Sequence, residues 1–280
     1  KSPFDICVYL FTSISKKVST LLGYMQKELG VKHVSTRSLG TNHIDIAYAE
    51  HVGIQVESIF YSPESIADFT LALLLMMVRN MSEIFHNTKN NNFNLPHQRG
   101  KALSSLNVGV IGNGRIGKEV IKRLEGFGSA QLIFDHKKWT EKKVTFDQLL
   151  KESDVITLHV PLNSDTYHLI GEKEFRKMKA GAILINTSRG AIVDTQAMIT
   201  ALQDGNLGGA ALDVIEDEEA LFHKNSCEKK GSKILDIIKS FPNVILTPHI
   251  AYYTDKTLED LVDNTCLSYL EFERRNRFER

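Results

Sequence analysis

The chain has very little cysteine: three residues in 280, at positions 7, 227 and 266, odd in number and never in a CxxC pair. That argues against a disulfide framework and against a zinc site, and it suits a reducing, cytoplasmic setting with no metal. Net charge is lacking as well, 34 basic residues balancing 34 acidic ones. No basic excess points to nucleic acid or to an anionic membrane, so an anionic ligand has to be met by a few placed residues. Long apolar runs are missing too. The longest, Phe69 to Val78, lies between Asp68 and Arg79 and falls well short of the roughly 20 residues that span a bilayer. It reads as a buried helix. The first residues show no signal-peptide pattern, and the chain begins at Lys1 rather than Met, so a natural start is expected upstream. What remains is a globular composition, 42% hydrophobic and 24% charged, on a length that suits two domains.

The first hundred residues alternate short apolar runs with helical stretches. Asp5 to Phe11 is expected as a strand, Lys16 to Leu29 as a helix capped by Gly30, and Lys32 to Ser35 as a second strand. Ser62-Pro63 predicts a helix start, with Ser as the cap and Pro in the first turn, and a helix running to about Met81. His86 to Gly100, with its asparagine run and Pro96, is expected as a loop or linker, though a helix could continue into its first residues. From Leu106 the alternation is regular. Val108–Ile111, Leu132–Phe134, Val155–His159, Ile183–Asn186, Ala210–Val214 and Val244–Thr247 read as parallel strands buried on both faces. Helical stretches such as Ile116–Glu125 and Thr195–Gln203 lie between them, which implies an α/β doubly wound sheet. The tail from Asp255 to about Arg274 is amphipathic, with Leu258, Leu261, Val262, Thr265, Leu267 and Leu270 on one side, and is expected to pack back on the first domain.

The segment from Val108 to Gly117 is a strand, then G-x-G-x-x-G, then a helix. Gly112 permits the tight turn, Gly114 lets the backbone approach a pyrophosphate, and Gly117 lets helix and strand pack closely. The helix start then offers free N–H groups and a partial positive charge to phosphates. As a bare string the motif is weak, but here it stands in the strand–turn–helix context that the chemistry needs. Asp135 ends the next strand, 18 residues after Gly117, where a carboxylate would accept bonds from adenosine ribose hydroxyls. The plainer reading of Asp135 is a solvated acid closing a strand. If it does face the ribose, its charge would repel a 2′-phosphate, which favours NAD (NADH) over NADP.

Several segments, in this order, carry a resemblance. They are Ser35-Thr36-Arg37-Ser38-Leu39-Gly40, Tyr61-Ser62-Pro63, the glycine-rich turn and Leu158-His159-Val160-Pro161-Leu162. They continue with Ile185-Asn186-Thr187-Ser188-Arg189-Gly190, Gly209-Ala210-Ala211-Leu212-Asp213-Val214 and Thr247-Pro248-His249-Ile250-Ala251-Tyr252-Tyr253-Thr254. Together they resemble the D-isomer-specific 2-hydroxyacid dehydrogenases over nearly the whole length, most of all the D-lactate dehydrogenases, including those of vancomycin-resistance clusters. The resemblance implies a Rossmann-type domain at 102–250 inserted in a flavodoxin-like substrate domain formed by 1–101 and 251–280. It also implies a strand–helix unit before Lys1, on the order of 30 residues long, so the substrate domain looks truncated at its start.

The family's catalytic arginine, glutamate and histidine map onto Arg189, Glu218 and His249, Glu218 lying five residues past Asp213. The chemistry suits these types. Hydride arriving at C2 of a 2-oxo acid puts negative charge on the carbonyl oxygen, so a proton donor must stand ready. Histidine titrates near neutrality, a neighbouring carboxylate favours its charged form, and a guanidinium forks onto the substrate carboxylate. Singly, each residue has a plainer reading: a solvated arginine, a loop histidine, an exposed member of the acidic run 216–219. By resemblance the substrate is further met by Leu39, Gly40, Tyr61 and Tyr253, the tyrosines being equally explained as core packing. Cofactor contacts fall by resemblance on Arg115, Ile116, Val160, Pro161 and Thr166. Thr187, Ser188 and Asp213 complete that set, Asp213 accepting from the nicotinamide amide. Hinges are expected near Leu95–Leu103 and His249–Thr254. The resemblance also implies a homodimer, with the helix from Ser62 to Met81 as its contact, although an intrachain core explains that helix equally well. An NAD(H)-binding corepressor or an inactive relative of the same fold stays open as an alternative to an enzyme.

Overall fold

Short apolar strands separated by helices must pair in parallel, because each helix returns the chain to the end of the sheet where it started. The structure is a computed structural model describing residues 6–9, 17–36, 40, 44–96, 98–136, 144–218 and 233–278. It shows this arrangement twice, in two compact units: residues 1–62 with 253–280, and residues 63–252. By packing, the chain passes between them at 62/63 and 252/253, where the sequence division stood at 101/102 and 250/251.

The first unit opens with β1 (Ile6–Tyr9), α1 (Lys17–Leu29), β2 (His33–Thr36), α2 (Ile46–His51) and β3 (Gln55–Ser58). The strands form a parallel sheet in the order β1-β2-β3. Gly30, at φ +67°, ends α1 as the sequence implied, since a left-handed residue is least costly as glycine. Leu22, Met25, Val31, Val34, Ile44, Ala49 and Ile54 form the core of this unit.

The second unit runs α3 (Glu64–Val78), α4 (Met81–Lys89), β4 (Asn107–Ile111), α5 (Arg115–Gly126), β5 (Ala130–Phe134), α6 (Phe146–Glu152) and β6 (Val155–Leu158). It continues with α7 (Glu172–Lys177), β7 (Ala182–Asn186), α8 (Thr195–Gln203), β8 (Leu207–Leu212), α9 (Lys233–Ser240) and β9 (Val244–Leu246). Its six strands are all parallel, in the order β5-β4-β6-β7-β8-β9. Both faces are covered. Val108, Val110, Val155, Ile185 and Ala211 join the core under α3 and α5, while their neighbours Ile111, Ile156, Leu184, Ala210 and Leu212 join the opposite core. That is the period-two alternation of a strand buried on two sides. The order turns back at β4, flanked by β5 and β6, and such a switch point opens a crevice beyond the carboxyl ends of the strands.

Three expectations are corrected. The helix after Ser62 starts at Glu64 with Pro63, already in helical conformation, in the cap position and no side-chain cap; the backbone N–H of Ser62 donates instead to Asp260 Oδ2 at 2.9 Å. The same helix stops at Val78. Asn80 takes a left-handed conformation (φ 54°), and α4 leaves at 69° to α3 as a separate helix, reaching Lys89 within the first residues of the 86–100 stretch, where the sequence left a helix open. The third concerns α10 (Asp255–Phe278), which packs on β2 of the first unit. Its buried stripe is Thr257, Leu261, Ser268 and Phe272, while Val262, Leu267 and Leu270 are exposed, because the helical spacing puts them off that stripe.

The apolar character of α3 is accounted for within its own unit, where Ala67, Leu71, Leu74 and Met77 pack toward α5, β7 and β8. No single helix among the described residues is long and apolar enough to cross a membrane.

Candidate active site

The glycine-rich turn joins β4 to α5 at the switch point. Gly112 has φ +102°, and a Cβ there would stand 2.3 Å from the carbonyl oxygen of His159. At Gly117 a Cβ would stand 1.9 Å from Gly112 O, so strand and helix cross too closely for any side chain. Gly114 is different: a Cβ there would meet nothing within 4 Å. The space in front of the α5 start is therefore open. Gly114 itself supplies no capping side chain, which leaves first-turn N–H groups available to phosphate oxygens. Asp135 stands directly after β5, and its Oδ2 accepts from Asn113 N at 2.7 Å, which holds the carboxylate against the turn. These residues fit an NAD adenosine–pyrophosphate portion. Beneath the turn, burial pushes the His159 imidazole down to about 3, so it stays neutral, with Nε2 2.9 Å from Thr157 Oγ1.

The expected cofactor contacts after β6 and β7 hold their own loops. Thr166 Oγ1 donates to Pro161 O at 2.6 Å, closing the turn that follows Val160. Ser188 Oγ donates to Leu158 O at 2.5 Å, and the buried Thr187 hydroxyl lies 2.9 Å from that of Thr70. Arg115 is exposed and Ile116 half-buried on the first turn of α5.

Arg189, Glu218 and His249 follow β7, β8 and β9, three adjacent strands, all at the carboxyl edge. Asn186 ends β7 and folds its side chain over the next residues: Oδ1 accepts from Ser188 N at 3.0 Å and Nδ2 donates to Arg189 O at 2.9 Å. The guanidinium donates to Ser188 O at 2.7 Å, and among the described residues no carboxylate lies within ion-pair distance of it. Gly190 then presses on the next loop, where a Cβ would stand 2.0 Å from Ile215 C. In that loop Glu218 accepts from Ile215 N at 2.9 Å through Oε2, and its Oε1 lies 2.5 Å from His249 Nδ1. With a carboxylate at Nδ1, that nitrogen carries a proton, and Nε2 is left for exchange. His249 sits at φ +54°, an uncommon conformation for a residue with a Cβ. Asp213, only 1% exposed, holds it there. Its backbone oxygen accepts from His249 N at 2.8 Å. Its carboxylate accepts from Thr247 Oγ1 (2.5 Å), Ile250 N (3.0 Å) and Ala251 N (2.9 Å).

The structure thus brings Glu218 and His249 into direct contact and sets the Arg189 loop against theirs. Anchoring by Asp213 and Asn186 was not foreseen, although an asparagine closing a strand is a known turn-former. Nor was the contact of Glu216 with His168, at 2.6 Å. In the first unit Gly40 is half-buried, Tyr61 is 8% exposed and Tyr253 65% exposed; Leu39 lies outside the described residues. Among the described residues no cluster of histidine, cysteine or acidic side chains could hold a metal.

The family model described as "D-isomer specific 2-hydroxyacid dehydrogenase, NAD binding domain" matches residues 71–251. The chain belongs to the D-isomer-specific 2-hydroxyacid dehydrogenases. It is 46% identical to a D-specific alpha-keto acid dehydrogenase of Enterococcus faecium, over 99% of this chain and 86% of that one. It is 41% identical to an aromatic 2-oxoacid reductase of Clostridium sporogenes, over 88% and 77%. Among solved structures, D-lactate dehydrogenase from Aquifex aeolicus, complexed with NAD and lactic acid, matches with a TM-score of 0.86 and 38% identity, over 98% of this chain and 84% of that one. Membership makes this chain an oxidoreductase with an NAD-binding domain, on the α/β fold the sequence implied.

Proposed function

We propose that this dehydrogenase reduces a small 2-oxo acid, pyruvate or a close analogue, to the D-2-hydroxy acid, with NADH as the hydride source. The observation that carries the reading is the 2.5 Å contact of His249 Nδ1 with Glu218, at the same edge of the sheet as the open glycine turn. Arg189 forks onto the substrate carboxylate and polarises the neighbouring carbonyl. His249, with both ring nitrogens protonated, delivers the Nε2 proton to the oxygen as negative charge develops there, and Glu218 holds the Nδ1 proton in place throughout. Bound NADH supplies the hydride to C2. Gly112, Gly114 and Gly117 hold the pyrophosphate and Asp135 the adenosine ribose, its charge disfavouring a 2′-phosphate. Arg115, Ile116, Val160, Pro161 and Thr166 line the remainder with Thr187, Ser188 and Asp213. Three acceptor positions of Asp213 are already used within the chain, so at most about one is left for the nicotinamide amide. Leu39, Gly40, Tyr61 and Tyr253 are assigned to the substrate.

A cytoplasmic location is supported by the scarcity of cysteine, three in the whole chain, of which Cys266 is free and exposed. A homodimer is supported by the outward Phe85, Phe93 and Leu95, 56%, 78% and 93% exposed, in the segment after α3. The test is oxidation of NADH and NADPH with 2-oxo acids from pyruvate to phenylpyruvate, with chiral analysis of the product. A D-hydroxy acid formed with NADH is expected; an L product, or no turnover with any acid, overturns the reading.

A further inference from the structure

The loop that carries Glu218 is gripped by a second histidine. His168, in the turn after β6 at φ +50°, places Nε2 2.6 Å from Glu216 Oε1 and Nδ1 3.8 Å from Asp194 Oδ2. Its ring is stacked on that of Tyr167, centroids 4.0 Å apart. The other oxygen of Glu216 accepts from Thr195 N, in the first turn of α8, at 2.9 Å. Burial works to raise the Glu216 carboxyl, but the bonds from His168 and Thr195 outweigh it and hold the group below its ordinary range. Both oxygens are engaged and the side chain is 24% exposed, unlike a solvated surface pair, whose worth is small.

These contacts continue toward the acid. His168 N donates to Ala191 O at 2.9 Å and Ile170 N to Ile192 O at 3.1 Å, fastening this turn to the residues just past Arg189. Gly190 abuts Ile215, and a Cβ on it would come 2.5 Å from Glu216 N. Ile215 N in turn donates to Glu218, which meets His249. An unbroken line of contacts or adjacent residues thus runs from His168 through Glu216, Ile215 and Glu218 to His249, with the Arg189 loop against its middle.

We infer that His168 and Glu216 are positioning residues for the reduction: their 2.6 Å contact clamps the 215–218 loop, so that Glu218 reaches His249 and the Arg189 loop keeps its register. This rests on the chemistry proposed above, since neither residue touches the reacting atoms in that scheme. The experiment compares H168A with H168Q, whose amide N–H can stand near the position of Nε2. In H168A, kcat falls by about tenfold or more, as expected when a catalytic group is misplaced by a fraction of an ångström. NADH affinity, read by fluorescence titration, is unchanged, the pH profile of kcat shifts, and H168Q recovers most of the rate. In ligand-free protein labelled with ¹⁵N-histidine, the His249 Nδ1–H resonance moves in H168A and returns in H168Q. That readout needs no turnover, so an inactive parent protein would sink the proposed reduction while the clamp is still decided. A folded H168A with unaltered kcat, pH profile and His249 resonance overturns the inference, as does a loss of NADH affinity or a folded H168Q without rescue. If H168A does not fold, E216Q, which retains an acceptor for Thr195 N, is read by the same measures.

Discussion

Each unit brings a histidine to a glutamate, and the two sites are built for different ends. In the second unit His249 meets Glu218 directly at 2.5 Å, with the imidazole 29% exposed. In the first, His33 is fully buried and 3.9 Å from Glu57, with serines between: Nε2 lies 2.9 Å from Ser35 Oγ and 3.2 Å from Ser268 Oγ, and Ser268 donates to Glu57 at 2.6 Å. Phe272 of α10 packs 4.7 Å from the same ring. Burial pushes the His33 imidazole down, outweighing the opposite pull of Glu57, with Arg275 adding to the lowering. The direct, half-open pair can hold and hand over a proton. The sealed, serine-bridged one is a joint between a sheet and a helix. Residue types alone do not separate an acid from a joint; access and the number of intervening hydroxyls do.

Exchanging glutamine into each site breaks the comparison most sharply. His249→Gln removes the proposed proton donor, and turnover should fall by about 10²–10⁴-fold while NADH titration and melting temperature stay near those of the parent. Loss of NADH binding in that variant would make the residue structural. The middle effect contrasts two glycines of one turn. Gly114→Ala adds a methyl only to open space, so it should fold normally and weaken NADH by about tenfold, the cofactor being lifted off the α5 start. Gly117→Ala drives a methyl into Gly112 O and should lose stability first, seen as a lower melting temperature before any binding is measured. Equal behaviour of the two would contradict the open cradle. The smallest effect is the pH dependence of the joint. With its folded value depressed, His33 contributes stability that is fully present above the unfolded value of about 6.5 and is lost as pH falls through it toward the folded one. Thermal melts from pH 8 to pH 5 should show a steeper acid decline for the parent than for His33→Gln, with turnover in the variant unaltered at neutral pH.

Much of this was legible in the chain. All six strands of the second unit were expected within a few residues, because short apolar runs between helices leave few alternatives. The glycine turn was legible because Gly112 and Gly117 answer steric demands that the structure shows, while Gly114 leaves the start of α5 open. Other features depend on context beyond a short window. The break at Asn80 has no glycine or proline to announce it. In α10 the apolar positions Val262 and Leu267 mislead, since polar Thr257 and Ser268 occupy the buried stripe, and Ser268 meets His33 and Glu57 only in the folded unit. Glu216 sat in an acidic run that looked solvated, and its histidine is 48 residues away. Resemblance, not spacing, pointed to Glu218 among its acidic neighbours.

Asp213 has a consequence for how the chain leaves the second unit. Its carboxylate holds the amides of Ile250 and Ala251, and the chain departs after Tyr252. The imidazole at 249 is therefore a fixture of the nucleotide half. Swapping the first unit for that of a relative, with the junction placed beyond Tyr252, would leave the proposed proton donor and every contact that fixes its backbone untouched.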